Sequence, residues 1–247
     1  MDLLGIDIGG SGIKGSLVNL ETGQFTTDRV RIATPENALP KDVAKVVGQV
    51  CTQLNYKGPV GCGFPSVVQN GKVFTAANID QSWIGVNAES LFNQITGNPV
   101  YVANDADVAG LAEVTFGAGR GQKGVVMVIT LGTGIGSAIF IDGRLVPNTE
   151  LGHLVIRGKD AEKRASDAAR KKKELSFKDW AERLQEYFSY LEALFWPDLF
   201  IVGGGISKEW QSFLPLLDLK AKIVPAQLLN QAGIVGAALY AKTRSQG

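Results

Sequence analysis

Two short apolar runs, about 120 residues apart, end in the same way. Leu3–Ile8 runs into Gly9-Gly10-Ser11-Gly12 and resumes as Ile13–Leu20, while Val125–Leu131 runs into Gly132-Thr133-Gly134 and resumes as Ile135–Ile141. An apolar run of this length bounded by glycine reads as a buried strand, and a glycine turn leading into a second strand makes a hairpin. Aligned, Asp7-Ile8-Gly9-Gly10 meets Thr130-Leu131-Gly132-Thr133, and Gly12-Ile13 meets Gly134-Ile135 after a gap of one residue. The repeated device makes duplication plausible, with the best internal boundary at Gly117-Ala118-Gly119-Arg120-Gly121. Neither turn has the G-x-x-x-x-G-K-[ST] spacing of a P-loop, and neither opens a helix in a βαβ unit as a dinucleotide site does.

The segments between the turns read in the same terms. Gln24–Ile32 continues the first hairpin as a strand after Glu21-Thr22-Gly23, and Pro35 to Pro40 reads as a loop. Val43, Val46, Val47, Val50 and Leu54 recur at helical spacing. Asn70-Gly71 is the strongest hairpin signal, joining Val67–Gln69 to Lys72–Thr75. A helix near Ala88–Ile95 stops at Thr96-Gly97, Val100–Ala103 is a strand, and Asp105–Phe116 is a helix capped by Asn104 or Asp105. Asp142-Gly143 makes another hairpin turn. Ser176–Phe195 carries an apolar stripe of Trp180, Leu184, Tyr187, Phe188, Leu191, Leu194 and Phe195. Leu199–Val202 is a buried strand that ends in a third glycine turn, Gly203-Gly204-Gly205, with Ser207 as a helix cap, and Ala232–Lys242 is a small-residue helix.

Composition excludes several classes. Hydrophobic residues are 45% and charged residues 20%, the range of globular rather than disordered chains. A net charge of +1 argues against a general nucleic-acid or membrane-surface binder. The charge is uneven, because Arg157–Lys178 holds nine Lys or Arg against four Asp or Glu, a net of +5, leaving −4 elsewhere. Such a run is either a solvated face or a track for an anionic chain. Cys51 and Cys62 build neither a disulfide framework nor a four-Cys zinc site, and read as small buried apolar residues. With His153 the single histidine, no two-His metal motif exists. No stretch reads as a secretory signal or a membrane span, so the expected compartment is the cytoplasm.

Backbone N–H groups of glycine turns can face phosphate oxygens because no Cβ blocks the approach. Gly9, Gly10, Ser11 and Gly12 form one candidate cradle, Gly132, Thr133 and Gly134 a second, and Gly204 and Gly205 a third. Asp7 precedes the first cradle; it either caps the turn or holds Mg²⁺ between its carboxylate and a phosphate. Lys14 either reaches the same phosphate or is a solvated strand lysine. Asn104-Asp105-Ala106-Asp107 is either an ordinary N-cap or a polar cluster for a polar substrate. Glu150-Leu151-Gly152-His153 adds a carboxylate and an imidazole, with a structural histidine as the alternative.

Together, Asp7–Lys14, Asn104–Glu113, Leu131–Gly136, Glu150–His153 and Ile201–Ser207 resemble the ROK family of repressors, open-reading-frame proteins and sugar kinases, within the actin–hexokinase superfamily. The narrower resemblance is to its bacterial polyphosphate glucokinases, through Pro147–Glu150, the lysine-rich segment and Phe195–Phe200. The resemblance implies an α/β fold with mixed sheets and a cleft between two domains, residues 1–117 and 118–231, with the last helix, 232–247, packing back on the first. It implies glucose as acceptor, inorganic polyphosphate as donor with ATP as a second donor, Mg²⁺ as cofactor and a homodimer. Asp105 resembles the family's general base, Asn104, Glu150 and His153 its sugar-hydroxyl ligands, and Pro65-Ser66 its sugar-facing loop. The glycine turns resemble its phosphate-binding segments. Where many members place a zinc-binding cysteine cluster after the histidine, this chain has Arg157–Glu162, so no zinc is expected and His153 is left to the sugar.

Lys171, Lys172 and Lys173 are the expected polyphosphate track. Regulators of the family carry a helix-turn-helix domain before the first glycine motif; here only six residues precede Asp7, so an enzyme is the expectation. The alternative enzyme is a hexose kinase that uses ATP alone.

Overall fold

The computed structural model describes residues 1–77 and 79–246; Gly247, included in the expected final segment, lies outside them. Two compact units result, residues 1–112 with 231–247, and residues 113–230.

The first unit contains β1 (Asp2–Gly9), β2 (Gly12–Asn19), β3 (Val30–Ile32), α1 (Pro40–Gln53), β4 (Val60–Phe64), β5 (Val68–Gln69), β6 (Lys72–Val73), α2 (Ala88–Thr96) and β7 (Val100–Asn104), after which α3 (Asp105–Phe116) leads out of it. Its sheet has the order β3-β2-β1-β4-β7, antiparallel through the first hairpins and parallel from β1 to β7. The two-residue alternation of β1 decides what meets each face. Leu4, Ile6 and Ile8 join Val43, Val47 and Val50 of α1 in the buried core. On the other face a Cβ at Gly5 would fall inside the backbone of Ile234, and one at Gly61 of β4 inside that of Ala237, so only glycine lets the final helix lie this close. Trp83 fills the α1–α2 side, with its ring 4.6 Å from Phe64 and 5.9 Å from Phe92, and its indole N–H donates to Ala38 O.

The second unit contains β8 (Val125–Leu131), β9 (Ile135–Ile141), β10 (Arg144–Val146), β11 (Val155–Ile156), β12 (Lys159–Asp160), α4 (Glu162–Ala165), α5 (Asp167–Lys172), α6 (Phe177–Phe195), β13 (Leu199–Gly203) and β14 (Lys222–Pro225). Its sheet order, β10-β9-β8-β13-β14, has the same directions as the first: two antiparallel pairings, then two parallel ones. The chain ends in α7 (Ala232–Ser245), a helix of the first unit.

Three expectations fail locally. Only Val30–Ile32 of Gln24–Ile32 is a strand, because Thr27 turns back to bond Ser16 and the Leu17 N–H. Leu194 is 61% exposed, since the apolar stripe of α6 is buried only as far as Leu191. Ser207 caps nothing; it lies inside a 3-10 helix, Gly205–Ser212, and its hydroxyl donates to Gly204 O. Cys51 and Cys62 are buried free thiols, and burial pushes the Cys62 thiol far above its ordinary range. Among the described residues no helix is long and apolar enough to cross a membrane.

Candidate functional site

In the first unit the candidate residues gather at the ends of β1, β4 and β7. Asn104 ends β7 and caps α3: its side-chain oxygen accepts the N–H groups of Ala106 (2.9 Å) and Asp107 (3.2 Å). Its amide nitrogen donates to Ser66 O at 3.2 Å, which ties the Pro65-Ser66 loop to the helix start. The side-chain oxygen of Asn104 is therefore committed to the fold, and the amide retains one N–H to offer a ligand. Asp105, the first helical residue, accepts the Ala106 N–H at 2.8 Å through Oδ1. A carboxylate in the first helical turn interacts favourably with the helix dipole.

Asp7 lies opposite Lys14 across the β1–β2 hairpin, and Lys14 Nζ sits 3.2 Å from Asp7 Oδ2, both side chains partly buried. The turn between the two strands is Gly10-Ser11. A Cβ at Gly10 would meet nothing within 4 Å, so the protein's own packing does not demand glycine there. An open glycine turn beside a carboxylate is what close approach by a ligand requires.

In the second unit the Gly132-Thr133-Gly134 turn joins β8 to β9, and Gly132 is likewise open. Gly204 differs, because its φ of +86° and the Leu131 backbone against it both require glycine for packing alone, while Gly205 is open. Glu150 and His153 flank a short 3-10 turn, Leu151–His153. Buried Ser137 of β9 holds this loop, accepting the Leu151 N–H (3.0 Å) and donating to Thr149 O (2.7 Å). A Cβ at Gly152 would enter the Ile135 carbonyl, so glycine lets the loop lie on β9. His153 stands between two carboxylates, with Nε2 3.6 Å from Glu150 Oε2 and Nδ1 3.5 Å from Asp160 Oδ2. Burial raises the Glu150 carboxyl above its ordinary range, opposed by His153 and reinforced by Glu162. His153, Asp160 and Glu162 offer ligand atoms within 4.8 Å of one another, but Lys163 Nζ already places a positive charge 3.0 Å from Asp160 Oδ2. The loop is thus held by the Ser137 hydrogen bonds and the Lys163–Asp160 ion pair as well as by packing.

The basic segment is folded. The Ala168 N–H donates to Gly132 O at 3.0 Å, tying α5 to the glycine turn. Ser166 caps α5 through the Ala169 N–H, and the Arg170 guanidinium lies 4.6 Å from the Phe177 ring centroid and pairs with Asp167 at 3.0 Å. A cavity of about 520 Å³ follows, where Thr133 meets Lys159, Lys163, Lys172 and Lys173. Lys171 does not line it; its Nζ pairs with Asp167 Oδ2 at 2.7 Å. The sequence reading missed Lys159, Lys163 and Ser137. The signal for Ser137 was a hydroxyl inside an apolar strand.

The ROK family model matches residues 3–166. The chain is 48% identical over 236 residues to the polyphosphate glucokinase of Mycobacterium tuberculosis, covering 95% of this chain and 89% of that one. The crystal structure of an inorganic polyphosphate/ATP-glucomannokinase from Arthrobacter sp. strain KM superposes with a TM-score of 0.95 at 52% identity, covering 98% of this chain and 99% of that one. A ROK family glucokinase from Streptomyces griseus, in complex with glucose and AMPPNP, gives 0.84 at 26% identity over 98% and 100%.

Proposed function

The chain belongs to the ROK family, and from that premise we propose that it phosphorylates glucose at the 6-hydroxyl, with inorganic polyphosphate as donor and ATP as a second donor. The similarity to a polyphosphate glucokinase over most of the chain supports acceptor and donor together. The observation that carries the donor is the cavity in which an open glycine turn at Thr133 faces four lysines and one carboxylate, Glu162. Backbone donors at one end and ammonium groups along the wall suit a chain of phosphates.

Asp105 accepts the proton of the attacking hydroxyl. Glu150 and His153 hold sugar hydroxyls, Asn104 adds its remaining N–H, and Ser66 is set beside it. Phosphoryl transfer passes through a loose transition state, so positioning and charge neutralisation contribute more than the base. The turn N–H groups of Gly10, Ser11, Thr133 and Gly134 supply fixed donors for that charge, while the Gly132 N–H is held by Gly134 O. Lys14 neutralises Asp7 and stands beside the first turn. A single, partly exposed carboxylate fits Mg²⁺, which keeps several waters and takes its other oxygens from substrate phosphates. Asp7 would hold the ion, and when bound it supplies further neutralisation of phosphate charge. No zinc enters this reading, because no cysteine follows His153 in the sequence. The same reading makes the chain a cytoplasmic homodimer, which light scattering of the purified protein tests.

Initial rates with polyphosphate and with ATP, at equal concentrations of transferable phosphoryl groups, decide the donor. Turnover with polyphosphate is expected. Turnover with ATP alone would leave a hexose kinase of the same fold.

A further inference from the structure

The second unit holds another concentration of positive charge beyond the Thr133 cavity. Arg157, Lys159, Arg164, Lys173 and Arg183 converge on a neighbouring cavity of about 500 Å³. Lys159 and Lys173 line both, so the two cavities adjoin. Asp179, Glu182 and Glu186 line the same cavity, which leaves five cations against three carboxylates, a net of +2. Glu186 alone serves two guanidiniums, at 2.6 Å from Arg157 Nε and 2.8 Å from Arg164 Nη2. Lys159, Lys173 and Arg183 have no carboxylate within 4 Å among the described residues. The heads of Lys173 and Arg183 are held by backbone carbonyls instead, those of Lys163 (3.1 Å) and Arg164 (3.3 Å), which position a charge without cancelling it. Burial and then Arg183, Lys159, Arg164 and Lys172 push the Lys173 ammonium below its ordinary range, as expected where like charges crowd.

We infer that this second cavity is the distal part of the donor site and takes the far phosphates of a polyphosphate whose reactive end lies at the Thr133 turn. Lys159 and Lys173 form the joint. The inference rests on the polyphosphate-using reading above and adds to it a second, length-selective station. Among the described residues the lining of the distal cavity contains no aromatic ring for a nucleobase, and its cations outnumber its carboxylates five to three. That matches a uniform anionic chain, in which every phosphate brings the same charge. A short donor fills only the first cavity, whereas a long one reaches the second and gains affinity there by displacing more counterions.

The test uses the full chain, with tripolyphosphate and a long-chain polyphosphate as separate donors. Arg183→Gln removes an unneutralised charge from the distal cavity alone. Arg157→Gln removes a 72% exposed one and is the safer variant for folding. Each should raise KM for the long donor several-fold, move KM for tripolyphosphate much less, and flatten the salt dependence of the long donor. Glu182→Gln has the opposite sign: this exposed carboxylate lines the cavity and has no ion pair among the described residues, so its loss should lower the long-donor KM. A merely structural role for these residues would not produce both signs. Equal shifts for both donors, no shift, or a raised long-donor KM in Glu182→Gln overturns the inference. An unmodified chain that turns over ATP but neither polyphosphate overturns the donor reading itself, before any variant is made.

Discussion

Asn104 and Asp105 are adjacent and both carry cap-forming side chains, yet the fold uses them differently. Asn104 closes the helix start, and Asp105 stands in the first turn, partly buried, with one oxygen on the Ala106 N–H. Sequence supplied both candidates, but only the path of β7 into α3 separates them. If Asp105 is the base, Asp105→Asn keeps the shape and the hydrogen bond yet accepts no proton, so kcat should fall by ~10²–10⁴-fold. Calorimetry should still show glucose binding; a variant with more than a tenth of the parent kcat removes Asp105 from that role. Glu150 gives a second prediction, one that no sequence pattern carries, because its raised carboxyl pKa comes from burial. Below that raised pKa it carries a proton, loses its negative charge and turns one acceptor oxygen into a donor. Glucose affinity should therefore begin to weaken, as pH falls, at a higher pH than an ordinary carboxylate would give. In Glu150→Gln that acid limb should disappear. Isothermal titration of glucose across the mildly acidic range reads both, and an unchanged acid limb in the variant assigns the titration elsewhere.

Elements whose boundaries are marked by backbone chemistry were legible. The sequence reading placed α3, β8 and β9 at the ends the structure gives, because Asn104, Gly132-Thr133-Gly134 and Asp142-Gly143 punctuate them. Elements that depend on remote partners were not. β14 is four residues of KIVP, which pair only because β13 runs beside them. The folded basic segment was hidden because its order comes from contacts that periodicity does not mark: Arg170 on Phe177, the Trp180 indole N–H on Ala165 O, and Ala168 on Gly132, 36 residues away. Helix α6 was visible from its periodicity, but one member of its stripe is ill matched to its place. Tyr187 is fully buried, and among the described residues its hydroxyl has no hydrogen-bond partner. Burial accordingly pushes that phenol far above its ordinary range. An unpaired buried hydroxyl costs about 1–3 kcal/mol, so Tyr187→Phe should stabilise the second unit by about 1 kcal/mol. Chemical denaturation of parent and variant measures this, and a loss of stability would mean that the hydroxyl is bonded in solution.

Across the whole chain the 30 glycines sort into distinct uses. Some leave turns open to a ligand, as Gly10 and Gly132 do, and others let backbones touch. The second use explains α7. Gly5, Gly61 and Gly236 each lack room for a Cβ against Ile234, Ala237 and Val108, so the last helix is set into the sheet of the first unit and against α3. Small residues at the end of the sequence signalled a helix; which sheet it covers is a matter of chain topology that periodicity does not encode. The consequence is that the first unit is incomplete until residues 231–247 have been made. Ile234, Val235 and Leu239 are buried in α7, and each contributes roughly 1.5–3 kcal/mol by leaving water. Their loss alone is comparable to the ~5–15 kcal/mol that stabilises a typical domain. A chain ended at Asn230 also exposes the backs of β1 and β4. It should show no cooperative thermal transition for the first unit and rapid tryptic cleavage within residues 1–112, while residues 113–230 stay resistant. Limited proteolysis followed by mass spectrometry distinguishes the two regions. A truncated chain whose first unit resists trypsin as the parent does would show that α7 covers the sheet without holding it together.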